Sequence, residues 1–230
     1  MRIFQRHNWQ VTTAEAREIQ LKLAGEISRV NKADDPRLVA GVDVSVNLSD
    51  KTGRSAVVVL SYPELEVVEI RTVEAEIVFP YVPGLLSFRE MPLIIPAFEK
   101  LKNTPDLVIM DGQGIAHPRR MGIASHLGLF LGIPTIGCAK SRLCGECREP
   151  ARQQGSRTYI IDGGEPIGVV LRTREGVKPV YVSTGHMIDL ESAVYRVMSC
   201  CRGYRLPEPT RLAHQAAGGQ LIEKQDTIAK

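Results

Sequence analysis

Residues 38–46 read LVAGVDVSV, a valine-rich run of the kind that fills a central strand, and Asp43 stands inside it. An ionised carboxylate taken out of water in such a place is costly unless it is paired or holds a metal. A buried salt bridge or a strand-end turn cap would satisfy one such residue. The pattern repeats in residues 107–112, LVIMDG, where four apolar residues run straight into Asp111. In open α/β sheets the carboxyl ends of strands are where ligands bind. Glu90, at the start of a predicted helix, adds a third acid. No matching set of three cations lies nearby in sequence, so gathering these acids makes sense around Mg²⁺ or Mn²⁺, which prefer oxygen ligands. A hard ion held by a few carboxylates keeps waters and takes up phosphate oxygens, as phosphodiester hydrolysis requires.

The rest of the chain supplies a scaffold for such a cluster. Residues 12–31 place Ala16, Ile19, Leu23 and Ile27 at helical spacing behind Thr12 and Thr13, with Glu15 available for a capping box. Runs at 38–46, 55–62 and 65–79, separated by turn residues, predict three strands in an antiparallel meander. A helix over 87–102, a strand over 106–112, a helix over 124–131 and a buried strand over 133–139 follow. Residues 166–173 and 178–185 read as a late hairpin, and 189–201 as a final helix leading into GYRLPEPTRLAH. Three strands followed by alternating helices and strands give a single α/β domain around a mixed sheet.

Composition narrows the class. With 230 residues, 43% of them hydrophobic, the chain is long enough for a sizeable core. It has no apolar run of membrane-spanning length and no apolar signal core in MRIFQRHNWQ, so a soluble, cytoplasmic protein is expected. The net charge of +3 permits a nucleic-acid partner without demanding one. Five cysteines, two of them adjacent, fit reduced thiols better than a secreted disulfide framework. Cys144 and Cys147 have zinc-like spacing but lack a second Cys or His pair downstream.

Other residues stand near the acids. His117 follows Asp111 by six positions, and either orients a water or protonates a leaving oxygen, or is a loop histidine bonded to backbone. Arg119 and Arg120 add cations near a helix start, while the isolated GQG of 112–114 is weak as a phosphate loop. Lys140 ends the strand IPTIGCA, either solvated or facing a phosphate with a fixed charge. His126 reads as a helix-face histidine, and His186 lies one loop from the acid edge. Residues 79–90, FPYVPGLLSFRE, set Tyr81 between Pro80 and Pro83. The stretch is either a structural turn or a rigid wedge that presses an aromatic into something flat.

Taken together, VAGVDVS, PYVPGLLSFRE, LVIMDGQGIAHPRRMGIASHLGL, PTIGCAKSRLCG, STGH and GYRLPEPTR resemble the endonuclease V family, the deoxyinosine 3′ endonucleases. The resemblance implies a ribonuclease H-like α/β fold, a mixed sheet flanked by helices. One catalytic domain would span residues 1–230, with its core at about 35–205. It implies that Asp43, Glu90 and Asp111 are the metal-binding acids and that His117 and Lys140 are catalytic-site residues. It also implies that Tyr81, held by Pro80 and Pro83, wedges beside a damaged base, while Gly84, Leu86 and Gly112 lie against the flipped hypoxanthine. The activity it implies is Mg²⁺-dependent hydrolysis of the second phosphodiester bond 3′ to deoxyinosine, leaving 3′-hydroxyl and 5′-phosphate ends, with Mn²⁺ substituting. The partner is DNA containing deoxyinosine, with inosine-containing RNA as the alternative substrate, no membrane, and a monomeric enzyme. A lesion-binding protein that does not cut would have little need for three acids. The chain departs from the family twice: Gln113 replaces a histidine of DGHG, and His214 stands where some members carry an acid, which leaves it an accessory candidate.

Overall fold

The computed structural model describes residues 1–47 and 49–221. Among them the sheet has eight strands in the order β3-β2-β1-β4-β5-β8-β7-β6. β1 (Leu38–Asn47), β2 (Thr52–Ser61) and β3 (Val67–Glu76) form the expected antiparallel meander. β4 (Leu107–Met110) and β5 (Thr135–Ala139) then add to β1 in parallel. β8 (Val180–His186) returns antiparallel to β5, and β7 (Glu165–Leu171) and β6 (Arg157–Asp162) complete the sheet. This is the mixed α/β sheet that the sequence implies.

Helices cover both faces, which is why β4 and β5 are buried at every position. α2 (Leu86–Glu99) and α3 (Ile123–Leu131) pack on one face, where Met91, Ile94, Phe98 and Phe130 meet Val42, Val57 and Met110. α4 (Leu190–Ser199) and α5 (Glu208–Ala217) pack on the other, bringing Val194, Val197, Ala213 and Ala216 onto Val39, Ile109 and Val182. α1 (Thr13–Ala24) lies outside this sandwich. Its apolar face reaches Phe79, Leu85, Phe88, Met121 and Leu129. No described helix is long and apolar enough to cross a membrane.

Several elements differ from the sequence expectation. α1 has the anticipated capping box between Thr12 and Glu15 but stops at Ala24, capped by Gly25, rather than running to residue 31. α2 forms although Pro92 and Pro96 lie inside it. β6 and α5 were not anticipated, and α4 is therefore not the last helix. α5 begins beside prolines that read as breakers, yet Pro207 is its N-cap and Pro209 falls in its first turn, where the missing N–H would have no helical partner.

The start of α5 is seated directly on β1. A Cβ added to Gly41 would lie 1.8 Å from the Pro209 carbonyl oxygen, a backbone atom that cannot swing away. Gly41→Ala is therefore expected to lift α5 from the sheet and to destabilise the protein by upwards of about 3 kcal/mol, read as a lower midpoint in urea unfolding.

Candidate active site where β1 and β4 end their shared ladder

β1 and β4 run parallel with Val42 opposite Met110, their last shared pair, so Asp43, still within β1, and Asp111, just past β4, each lie one residue beyond the same register position. The Asp111 amide donates to the Val42 carbonyl at 3.1 Å, which extends the ladder as far as the acids. Their side chains are 13% and 9% exposed, little enough that repulsion between them is poorly screened by water.

Two side chains from other elements address these carboxylates. Lys140, just past the end of β5, sets Nζ 2.5 Å from a buried oxygen of Asp111. His214, on α5, places Nδ1 2.6 Å from Asp43 Oδ2. Because the carboxylate can only accept, Nδ1 carries the hydrogen in that contact. Ligand atoms of Asp43, Asp111 and His214 all lie within 4.8 Å of one another, the one such convergence among the described residues.

Glu90 approaches from α2, across the sheet from α5, and is not part of that three-residue convergence. It lies close enough to feel both aspartates. Burial, then Asp43, then Asp111 push its carboxyl up to about 8. Burial and Asp43 also raise Asp111, while Lys140 acts the other way. A buried acid driven neutral by two others, with a single ammonium on Asp111, marks a site short of positive charge. The oxygen-rich donors suit a hard divalent cation.

A cleft of about 340 Å³ opens beside Asp111 and Lys140 and extends to Tyr81, Gly84 and Leu86. Tyr81 is 73% exposed, and the Arg89 guanidinium lies 5.6 Å from its ring centroid. Gly84 adopts φ +79°, a conformation that favours glycine. Gly112 lines the cleft, and a Cβ there would fall 2.4 Å from Ile123 Cγ2.

His117 lines the same cleft with both ring nitrogens engaged. Nδ1 accepts from the Arg119 amide at 3.1 Å, so Nε2 carries the hydrogen and donates to the Gly84 carbonyl at 3.0 Å. Burial lowers its pKa to about 4, which leaves it neutral at physiological pH. The backbone bonds that the sequence offered as one reading of this histidine are present. His126, on α3 as expected, is fully buried, with His7 and Ser87 at 2.8 and 2.9 Å. Gln20 and the role of α1 in shaping the cleft escaped the sequence reading. The signal was a polar residue set four positions after Ala16 on the apolar face of a helix.

A family model described as Endonuclease V matches residues 21–215. Over 217 residues the chain is 54% identical to the Endonuclease V of Dehalococcoides mccartyi, covering 94% of this chain and 97% of that one. The crystal structure of the Bacillus subtilis Endonuclease V superposes with a TM-score of 0.91 at 36% identity, covering 95% of this chain and 96% of that one. The Ciona intestinalis Endonuclease V, in complex with a 24mer DNA containing an inosine followed by a ribo-adenosine, superposes with a TM-score of 0.79 at 29% identity, covering 90% and 96%.

Glu90 offers a test of the charge shortage. Its folded pKa of about 8 lies above its ordinary 4.5, so the folded chain holds that proton more tightly than the unfolded chain. The resulting stability is fully present below the unfolded value and is lost as pH rises through the folded one. Glu90→Gln keeps the neutral form. In EDTA, its melting temperature is expected to stay flatter than that of the parent protein across this window and to exceed it at the alkaline end. Parallel melting curves for the two proteins would contradict this.

Proposed function

The chain belongs to the endonuclease V family, and on that premise we propose that this nuclease hydrolyses the second phosphodiester bond 3′ to a deoxyinosine in DNA, leaving 3′-hydroxyl and 5′-phosphate ends. One observation carries the reading: a single cleft is lined both by Tyr81, Gly84 and Leu86 and by Asp111 and Lys140. Base recognition and phosphate chemistry thus share one cleft. The inosine-containing DNA bound by the Ciona relative supports the substrate class.

Asp43 and Asp111 would hold the cation, with Glu90 completing the acid set from α2 and His214 either joining them or orienting Asp43 through Nδ1. When bound, Mg²⁺ or Mn²⁺ supplies Lewis acidity to phosphate oxygens and lowers the pKa of an attacking water. Lys140 contributes a fixed positive charge beside Asp111, in position to meet a phosphate oxygen. Tyr81, stiffened by Pro80 and Pro83 and stacked by Arg89, fills the gap left by a displaced base. Gly84, Leu86 and Gly112 supply walls against which the flipped base lies. His117, neutral and bonded to Gly84, serves the shape of that pocket.

The test is single-turnover cleavage of a labelled duplex holding one deoxyinosine, in Mg²⁺ and in EDTA, with the cut mapped to the nucleotide. A nick one nucleotide beyond the lesion, absent in EDTA, is expected; retention without a nick would leave a binding protein. An inosine-containing RNA run alongside separates the alternative substrate, which the ribo-adenosine in the Ciona ligand motivates. Asp43→Asn and Asp111→Asn are expected to abolish cutting while inosine-DNA binding persists, measured by titration of the same duplex. Equal loss of both would make the acids structural. Tyr81→Ala is expected to lower the preference for inosine over intact DNA more than it slows the cut at saturating enzyme.

A further inference from the structure

The carbonyl oxygen of Gly84 receives three side-chain donors: Gln20 Nε2 at 3.0 Å, His117 Nε2 at 3.0 Å and Arg119 Nη2 at 2.8 Å. A carbonyl has two lone pairs, so three donors exceed what desolvation alone requires. They fix its position instead. Gly84 adopts a positive φ, and a Cβ there would lie 2.9 Å from Arg119 Nη2.

Gln20 is the centre of the arrangement. It is 1% exposed, and both ends of its amide are engaged. Nε2 also donates to the Met121 carbonyl at 3.0 Å, while Oε1 accepts from Arg119 Nε at 2.6 Å. Two carbonyls at one end and a guanidinium N–H at the other permit only one orientation of the amide. Gln20 therefore locks Arg119, and both then hold Gly84. The Leu85 amide, donating to the Val82 carbonyl at 3.0 Å, closes the turn over 82–85 that directly follows Tyr81.

We propose that Gln20 is the positioning residue that sets the Tyr81 turn through the Gly84 carbonyl, and that it thereby sets discrimination of the lesion base. The inference rests on the wedge reading of Tyr81. It gives α1, which holds none of the acid or wedge residues, a part in specificity.

Gln20→Glu and Gln20→Leu test it. The glutamate keeps an acceptor for Arg119 but sets a carboxylate oxygen against two carbonyls, so it removes the donors while preserving size. Both variants are expected to raise the enzyme concentration for half-saturation on a deoxyinosine duplex by about tenfold. Affinity for an undamaged duplex should be unchanged, and hydrogen exchange of the Leu85 amide faster. Should the leucine variant fail to fold, the glutamate variant carries the test. Parental half-saturation and parental Leu85 exchange in Gln20→Glu would overturn the inference, as would equal weakening on damaged and undamaged DNA. Tyr81→Ala, run alongside, separates the two readings. Unaltered discrimination there defeats the wedge reading and this inference with it, whereas altered discrimination beside a parental Gln20→Glu defeats the inference alone.

Discussion

Two carboxylates follow the last paired residues of adjacent parallel strands, and much of the architecture follows from that juxtaposition. Asp43 and Asp111 sit where β1 and β4 end their shared ladder, largely removed from water. Like charges in such a place would drive protons on or strands apart unless other groups reach them. The residue after β5 brings the Lys140 ammonium to Asp111, and α5 crosses β1 to bring the His214 imidazole to Asp43. The close seat of Pro209 on Gly41 is what permits that crossing. Glu90 answers the same field in the other way, by taking up a proton, because its place in α2 adds burial to repulsion.

The segment between β4 and α3 joins the acid edge to the wedge turn. Gly114 passes so close to β8 that a Cβ would fall 2.0 Å from the Thr184 carbonyl oxygen, and its amide donates to Ser183 Oγ at 2.9 Å. Anchored there, the segment delivers His117 and Arg119 to the Gly84 carbonyl. A second buried contact supports the same turn from beneath. Ser87, in the first turn of α2, meets His126 Nδ1, and His126 meets His7 within a cluster of Trp9, Phe88 and Phe130. Burial lowers His126 to about 3, so this histidine is a neutral packing element.

The acids were legible because burial makes them expensive: Asp43 and Asp111 announce themselves as carboxylates in valine- and isoleucine-rich runs. The meander and the buried strands were legible from period-two and continuous apolar patterns. β6 was not, because Ile160 is its one buried residue and an edge strand needs few apolar side chains. α5 was hidden by prolines whose helix-starting role depends on where the helix begins. His214 could be flagged only as a departure from a family pattern, since its partner lies 171 positions away. Gln20 and His126 were obscured by the reverse effect. Each is a polar residue on an apolar helix face, and sequence spacing does not reveal the distant acceptors that satisfy it.

On the proposed reading, recognition and chemistry would be built on different physical terms. The turn at Gly84 is held by neutral and charge-assisted hydrogen bonds that are complete within the chain: Gln20 has its amide engaged at both ends, and His117 has both nitrogens occupied. A complete network of this kind is rigid, and rigidity is what a wedge needs if it is to displace a base and not yield to it. The acid edge is incomplete within the chain. One ammonium and one imidazole face three carboxyl groups, and the one in α2 stays neutral as a result. A site left short of positive charge has differential affinity for a divalent cation. Because residues of both regions line one cleft, on the proposed reading the rigid turn would fix the register in which the electrostatically open acid edge meets the phosphate backbone.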